Sequence, residues 1–94
     1  MTVGLLSIEL RIPGSRTLKD KRRVMNSLKE QLRNRFNCSV AETEHHDLWA
    51  RAQLAVCVVS SEGGHVQQQL NEILRFSSNK PGAEVLDFRI EMIL

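Results

Sequence analysis

The pattern of apolar and polar positions divides the chain into six segments. Residues 2–12 alternate at a period of two, as a strand with one buried face does. Residues 18–36 instead bring their apolar side chains to one side of a 3.6-residue helix. The later segments repeat these two patterns. Residues 38–45 and 51–60 predict strands, a helix opens at 60–62 and continues to about residue 77, and 84–94 predicts a last strand.

The predicted order is strand, helix, two strands, helix, strand. Strands with one polar face and helices with one apolar face suit a two-layer α+β sandwich whose sheet is covered on one side. Right-handed crossovers favour a ferredoxin-like βαββαβ arrangement with a four-stranded antiparallel sheet and both helices on one face. We expect the first and third strands to be central and parallel to each other. A different strand order in the same sandwich is the alternative.

The short connection between the second and third strands predicts a hairpin. A turn centred on residues 47–48 places Glu44 opposite Arg51 and Cys38 opposite Cys57. Because a slip of one residue would turn every side chain to the other face, this register is a hypothesis. Two cysteines without C-x-x-C spacing are too few for a disulfide framework, so we expect reduced thiols.

The first helix carries most of the positive charge of a chain whose net charge is only +2. Thr17 is the predicted N-cap, since its hydroxyl can accept a hydrogen bond from the backbone N–H of Asp20. Cations crowd the helix start although the helix dipole disfavours them there. One interpretation is a phosphate-binding surface, and the other is a solvated face with pairs such as Asp20 with Arg23 or Glu30 with Arg33. The candidate nucleic-acid-binding residues are Lys19, Lys21, Arg22, Arg23, Lys29, Arg33 and Arg35.

Three other side chains, Lys21, Arg35 and Trp49, could be either packed in the protein or exposed to solvent. Lys21 falls within the apolar arc of the helix, and we expect its ammonium to reach solvent at the helix start, with a contact to a carboxylate as the alternative. Arg35, near the edge of the same arc, should reach solvent in the same way. Trp49 could stack on a base, or it could contact a partner together with the nearby Arg51. We expect it instead to close one end of the core.

No catalytic constellation is visible. The chain has no G-x-S-x-G, no Gly-rich phosphate loop and no partner set for either cysteine, so we expect a non-enzymatic protein without a cofactor. His45 and His46 are adjacent and should point to opposite faces of an extended chain, so we expect no metal site. No apolar run could span a bilayer and no signal-peptide pattern is present. We therefore expect a cytoplasmic protein with a single domain over residues 1–94.

Three motifs resemble those of one family. Residues 17–22 (TLKDKR), 33–42 (RNRFNCSVAE) and 47–52 (DLWARA) are similar to motifs of the YlxP-like family, small bacterial proteins of unknown function, and the similarity covers nearly the whole chain. The resemblance implies a ferredoxin-like fold and supplies no established activity. The family's genes commonly lie among translation and ribosome-maturation genes, which suggests association with RNA or the ribosome. Cys38 stands at a usually aliphatic position, which argues against a shared thiol function.

Two functions remain open. The first is an RNA- or ribosome-associated factor. Its helix would contact phosphates, because the chain lacks the stacking aromatics of an RRM sheet and the GXXG loop of a KH module. The second is a protein-interaction module that forms a homodimer through the uncovered sheet face, which would carry Leu5, Ala55, Cys57 and Val59.

Overall fold

A computed structural model describes residues 1–94 and confirms the ferredoxin-like α+β fold. Each predicted element is present, with ends that differ by at most three residues from the pattern. The elements in chain order are β1 Thr2–Arg11, α1 Leu18–Arg35, β2 Ser39–Glu44, β3 Arg51–Ser60, α2 Gly63–Ser78 and β4 Glu84–Met92.

The four strands form one sheet in the order β2-β3-β1-β4, and both helices pack on the same face. β1 and β3 are central, as expected, but they are antiparallel, so the expectation of parallel central strands was wrong. The physical reason is that each helix joins two strands that run in the same direction but are not neighbours. An oppositely directed strand lies between them, and this makes every neighbouring pair antiparallel.

The core lies between the sheet and the two helices. On β1 the alternate side chains Leu6, Ile8 and Leu10 are fully buried, which confirms the period-two pattern. The residues of β3 that lie opposite these positions are buried as well. The helices complete the core with Met25, Leu28, Leu32, Val66, Leu70 and Ile73.

Helix α2 approaches β1 most closely at Gly4. A Cβ atom at this position would lie 2.6 Å from Cγ1 of Val66 and 2.7 Å from Cδ1 of Leu70. Both neighbours are fully buried, so they have little room to move away. The absence of a side chain at Gly4 is therefore what lets this helix lie on the sheet at this distance.

The hairpin of β2 and β3 has a different register from the predicted one. Val40 lies opposite Val56, and Ser39 rather than Cys38 lies opposite Cys57. This register puts two buried valines together on the core face, whereas the predicted one put Val40 opposite a residue of the uncovered face. An irregularity between Glu42 and Glu44 then shifts the pairing, so Glu44 does not meet Arg51.

Strand β4 is the sheet edge next to β1, and a bulge changes the face that its residues present. The register with β1 shifts so that Val85, not Leu86, lies opposite the buried Leu10. The alternating apolar residues Leu86, Phe88, Ile90 and Met92, which the sequence pattern puts on one side of the strand, therefore do not all pack against the core. Ile90 packs against the core, while Leu86, Phe88 and Met92 remain 46%, 52% and 45% exposed.

Candidate nucleic-acid interface

The start of α1 is held by its capping residues. The hydroxyl of Thr17 accepts a hydrogen bond from the backbone N–H of Asp20 at 3.1 Å, which confirms the predicted N-cap. The Asp20 carboxylate in turn accepts a hydrogen bond from the backbone N–H of Arg16 at 3.1 Å. This bond is the main reason why the pKa of Asp20 is lowered, and the nearby Arg23 adds to the effect. The loop before α1 and its first turn are therefore tied together.

We call the side chains Lys19, Arg22, Arg23, Lys29 and Arg33 the basic face of α1. Four of them are exposed and Lys29 is half-buried. No carboxylate of the chain lies within ion-pair distance of any of the five. The predicted pairs of Asp20 with Arg23 and of Glu30 with Arg33 are thus absent. The five cations thus have no carboxylate partner at ion-pair distance, although Asp20 lies near Arg23 and the exposed Glu30 lies among them.

The basic face borders the free edge of the sheet at β2. The Arg33 guanidinium donates a hydrogen bond to the Val40 carbonyl at 3.1 Å, which places this flank of α1 against the edge strand. Arg22, Lys29 and Arg33 follow one another along this flank, over roughly 16 Å of helix axis. An extended polyanion could therefore contact several cations at once.

Lys21 does not belong to this surface. Its side chain is 1% exposed, and its ammonium lies 3.2 Å from a Glu42 carboxylate oxygen. It also donates hydrogen bonds to the carbonyls of His45, at 2.7 Å, and Arg51, at 3.2 Å. The expectation that the ammonium reaches solvent was wrong. The helix start packs against the β2–β3 hairpin, where one acceptor from β2, one from the loop and one from β3 replace water.

Arg35 lies on the other flank of α1. Its side chain is exposed, with the guanidinium carbon 4.7 Å from the centroid of the Phe76 ring, where a cation–π contact forms. Helical geometry places it well over 90° around the axis from Arg33. Arg35 therefore faces α2 rather than the basic face.

Trp49 is 49% exposed, so the expectation that it closes one end of the core was wrong. It lies in the β2–β3 loop with the equally exposed Leu48. The two carbonyls that accept hydrogen bonds from Lys21 belong to the two ends of this loop. The loop is therefore fastened to the first turns of α1, and Trp49 is available for a contact outside the chain.

Sequence reasoning missed a polar cluster around Glu9 on the uncovered face of the sheet. Arg51 lies 2.6 Å and the ring of His45 2.9 Å from one Glu9 oxygen, and Gln53 donates a hydrogen bond to the other at 3.5 Å. The predicted contact residue Arg51 is thus already paired. The pairing of the two central strands, β1 and β3, is the signal that could have identified the cluster, because it places Glu9 directly opposite Gln53.

The rest of the uncovered face holds the side chains that would form the interface of the predicted homodimer. Leu5 lies opposite Cys57, and Ala55 and Val59 lie on the same face of β3. Val59 is 53% exposed, and the other three are half-buried. That a second copy binds here stays a prediction.

The two cysteines are free and lie on different sides of the sheet. Cys38 packs at the margin of the core, and its burial raises the pKa of the thiol against the opposing effect of Arg33. A raised pKa keeps the thiol protonated and unreactive near neutral pH.

The two histidines that follow β2 contact different groups. The His45 ring contacts the Glu9 carboxylate, whereas the His46 ring contacts the Glu42 carbonyl.

Neither helix is long and apolar enough to cross a membrane.

A family match and one relative agree with the family resemblance. The chain is 29% identical over 82 residues to the uncharacterized protein YlxP of Bacillus subtilis (strain 168), an alignment that covers 87% of this chain and 89% of that protein. Among solved structures, the de novo designed protein Ferredog-Diesel aligns with 95% of this chain and 83% of its own, with a TM-score of 0.49 and 18% identity. Residues 3–90 match the family described as "Protein of unknown function (DUF503)". The chain belongs to this DUF503, or YlxP-like, family.

Proposed function

We propose that this protein is a non-enzymatic factor that binds RNA, free or within the ribosome, through the phosphates that meet the basic face of α1. The observation that carries the proposal is that Lys19, Arg22, Arg23 and Lys29 have no carboxylate partner within the chain. Cations that are already paired gain little from a phosphate, whereas free cations release the counterions of the nucleic acid on binding.

The surroundings of the basic face support phosphate contacts rather than base recognition. The sheet positions where an RRM stacks bases hold Leu5, Ser7, Gln53 and Ala55, none of which is aromatic. Exposed Trp49 is the one aromatic side chain near the helix start. We therefore expect binding with little sequence preference and a steep dependence on salt, with a slope of log K against log salt of about −3 to −5 for five cations.

The test is cosedimentation with ribosomal subunits across a salt series, together with fluorescence anisotropy on a labelled RNA. The informative variant is Arg22→Glu/Lys29→Glu, since both residues lie on the basic face and neither donates a hydrogen bond within the chain. We expect this variant to lose association and the wild type to lose it gradually with salt.

The matched control is Arg35→Glu/Arg75→Glu, which makes the same change in net charge away from the basic face, at Arg35 on the other flank of α1 and at the exposed Arg75 of α2. We expect the control to bind nearly as well as the wild type. Equal losses in the two variants would mean that net charge alone drives association. Absence of association at low salt would leave the basic face as an ordinary solvated surface.

A further inference from the structure

The edge strand β4 carries an arrangement of side chains that is complementary to itself, and this feature is independent of the proposed RNA binding. Leu86 and Phe88 are 46% and 52% exposed on a strand that has no neighbour on its outer side. Exposed apolar side chains on a free edge favour pairing with another strand. The other free edge, β2, exposes Ala41, Thr43 and Glu44 and has no comparable apolar row.

The two faces of β4 differ in character. Phe88 and Ile90 lie opposite the buried Ile8 and Leu6, so they are on the helix side of the sheet. On the same side a shallow groove of about 460 Å³ brings Leu86 together with Leu74 of α2. Asp87 and Arg89 lie on the uncovered side, opposite Glu9 and Ser7.

Asp87 lacks a cationic partner within the chain. Its carboxylate accepts a hydrogen bond from the backbone N–H of Phe88 at 2.8 Å, and no cation lies within ion-pair distance. It also lies directly opposite Glu9, a second carboxylate. Two like charges in a directly opposed pair destabilise a sheet. Arg51 already pairs with Glu9, so Asp87 is the carboxylate of this pair that a cation from the open edge would stabilise.

We propose that β4 pairs antiparallel with β4 of a second copy of this chain, with the two-fold axis at Phe88. This symmetry places Phe88 beside its own counterpart and Leu86 opposite Ile90 of the second copy, both on the apolar side. On the uncovered side it places Asp87 opposite Arg89 of the second copy, and this pair occurs twice. Arg89 is available because its present contact with Glu91, at 3.6 Å, is long and exposed.

Other symmetric registers fit less well. An axis at Asp87 or at Arg89 would bring identical charges face to face. An axis at Ile90 would pair Arg89 with Glu91, but it would carry Leu86 past Met92, where the strand ends. The axis at Phe88 lies at the centre of the nine-residue strand and pairs residues 86–90 of the two copies, up to the bulge that separates them from Val85.

The dimer leaves the basic face free. β4 and β2 are opposite edges of the sheet, and α1 lies against β2. The two copies would form one continuous sheet of eight strands, with the basic faces at its two outer ends. Loss of the dimer and loss of RNA binding are therefore separable in experiment.

Sedimentation equilibrium of the full chain, at concentrations up to about 1 mM, tests the proposal. We expect the wild type to dimerise. The single variants Asp87→Arg and Arg89→Asp each place like charges in both pairs, and each should raise the dimer dissociation constant about tenfold or more. The double variant Asp87→Arg/Arg89→Asp restores opposite charges and should restore the dimer. Circular dichroism confirms that each variant is folded.

Disulfide trapping tests the register in a Cys38→Ala/Cys57→Ala background. Directly opposed residues have Cα atoms about 4.5–5.5 Å apart, within the range that a disulfide bridges. Phe88→Cys should form a covalent dimer under mild oxidation, and Leu86→Cys, which faces Ile90, should not.

Three results would overturn the proposal. The first is a wild type that is monomeric over the whole concentration range. The second is a dimer whose dissociation constant neither charge reversal raises. The third is a double variant that dimerises as weakly as the single variants. A dimer that resists these changes but is lost in Leu5→Arg/Val59→Arg would assign the interface to the uncovered sheet face instead.

Discussion

The Lys21 ammonium lies 3.2 Å from the Glu42 carboxylate, and the two side chains are 1% and 13% exposed. The same ammonium bridges the two ends of the β2–β3 loop through the carbonyls of His45 and Arg51. One side chain thus connects α1, the edge strand and the loop that presents Trp49. A charge buried at this depth is stabilised only while all its acceptors stay in place.

Replacement of Lys21 by methionine should be strongly destabilising. The Lys21→Met variant keeps the apolar stem but leaves the Glu42 carboxylate without its cation and removes one hydrogen bond from each of the His45 and Arg51 carbonyls. We expect it to lower the free energy of unfolding by about 3 kcal/mol or more. Urea denaturation monitored by circular dichroism measures this change.

Two control variants change Glu42, the ionic partner of Lys21, and Lys19, a nearby residue of the same helix. Lys21→Met/Glu42→Leu removes both charges, so it should recover part of the loss. Lys19→Met, at an exposed site two residues earlier in α1, should change stability by no more than about 0.5 kcal/mol. If Lys21→Met costs no more than Lys19→Met, the buried network does not contribute to stability.

A single methyl group at Gly4 should weaken the packing of α2 on the sheet. Gly4→Ala would place a Cβ atom 2.6 Å from Val66, whose branched side chain is stiff. We expect a loss of about 1–3 kcal/mol in the free energy of unfolding. Gly64→Ala is the matched control, since a Cβ atom there meets nothing within 4 Å and alanine favours the helix. A neutral Gly4→Ala would show that α2 can shift without cost.

The Asp20 carboxylate should give the protein a component of stability that depends on acid. Because the folded state lowers the pKa of Asp20, this component is complete above the unfolded value of about 3.9 and is lost as the pH falls through the folded value. Asp20→Asn removes the titration. The difference in unfolding free energy between wild type and variant should therefore be larger at about pH 6 than at about pH 2.5. A difference that does not change with pH would contradict this account.

Trp49 should contribute little to stability. Its exposed side chain predicts that Trp49→Ala lowers the free energy of unfolding by less than about 1 kcal/mol, whereas Leu54→Ala, at a fully buried site, should cost about 2–5 kcal/mol. Acrylamide should quench Trp49 fluorescence in the native protein almost as well as in urea. Strong protection from the quencher would restore the interpretation that this ring closes the core.

The local elements were predictable because their causes are local. The spacing of Leu28 and Leu32 defines the buried stripe of α1, and Thr17 and Asp20 define its start. Alternation of Leu6, Ile8 and Leu10 identifies β1 and its buried face. These signals need only the periods of a helix and a strand. The prediction of the hairpin register was wrong because the loop sequence does not determine the register. The pairing of Val40 with Val56 in the core determines it.

The candidate site was only partly predictable for the same reason. The sequence by itself determined the fold class, the two helices and the concentration of cations on α1, because these depend on composition and periodicity. Only the tertiary structure decided that Lys21 is buried against Glu42, that Trp49 is exposed and that Asp87 faces Glu9 at a free edge. Each of these depends on which residues distant in the chain become neighbours, and hydrophobic packing of the whole sheet sets that.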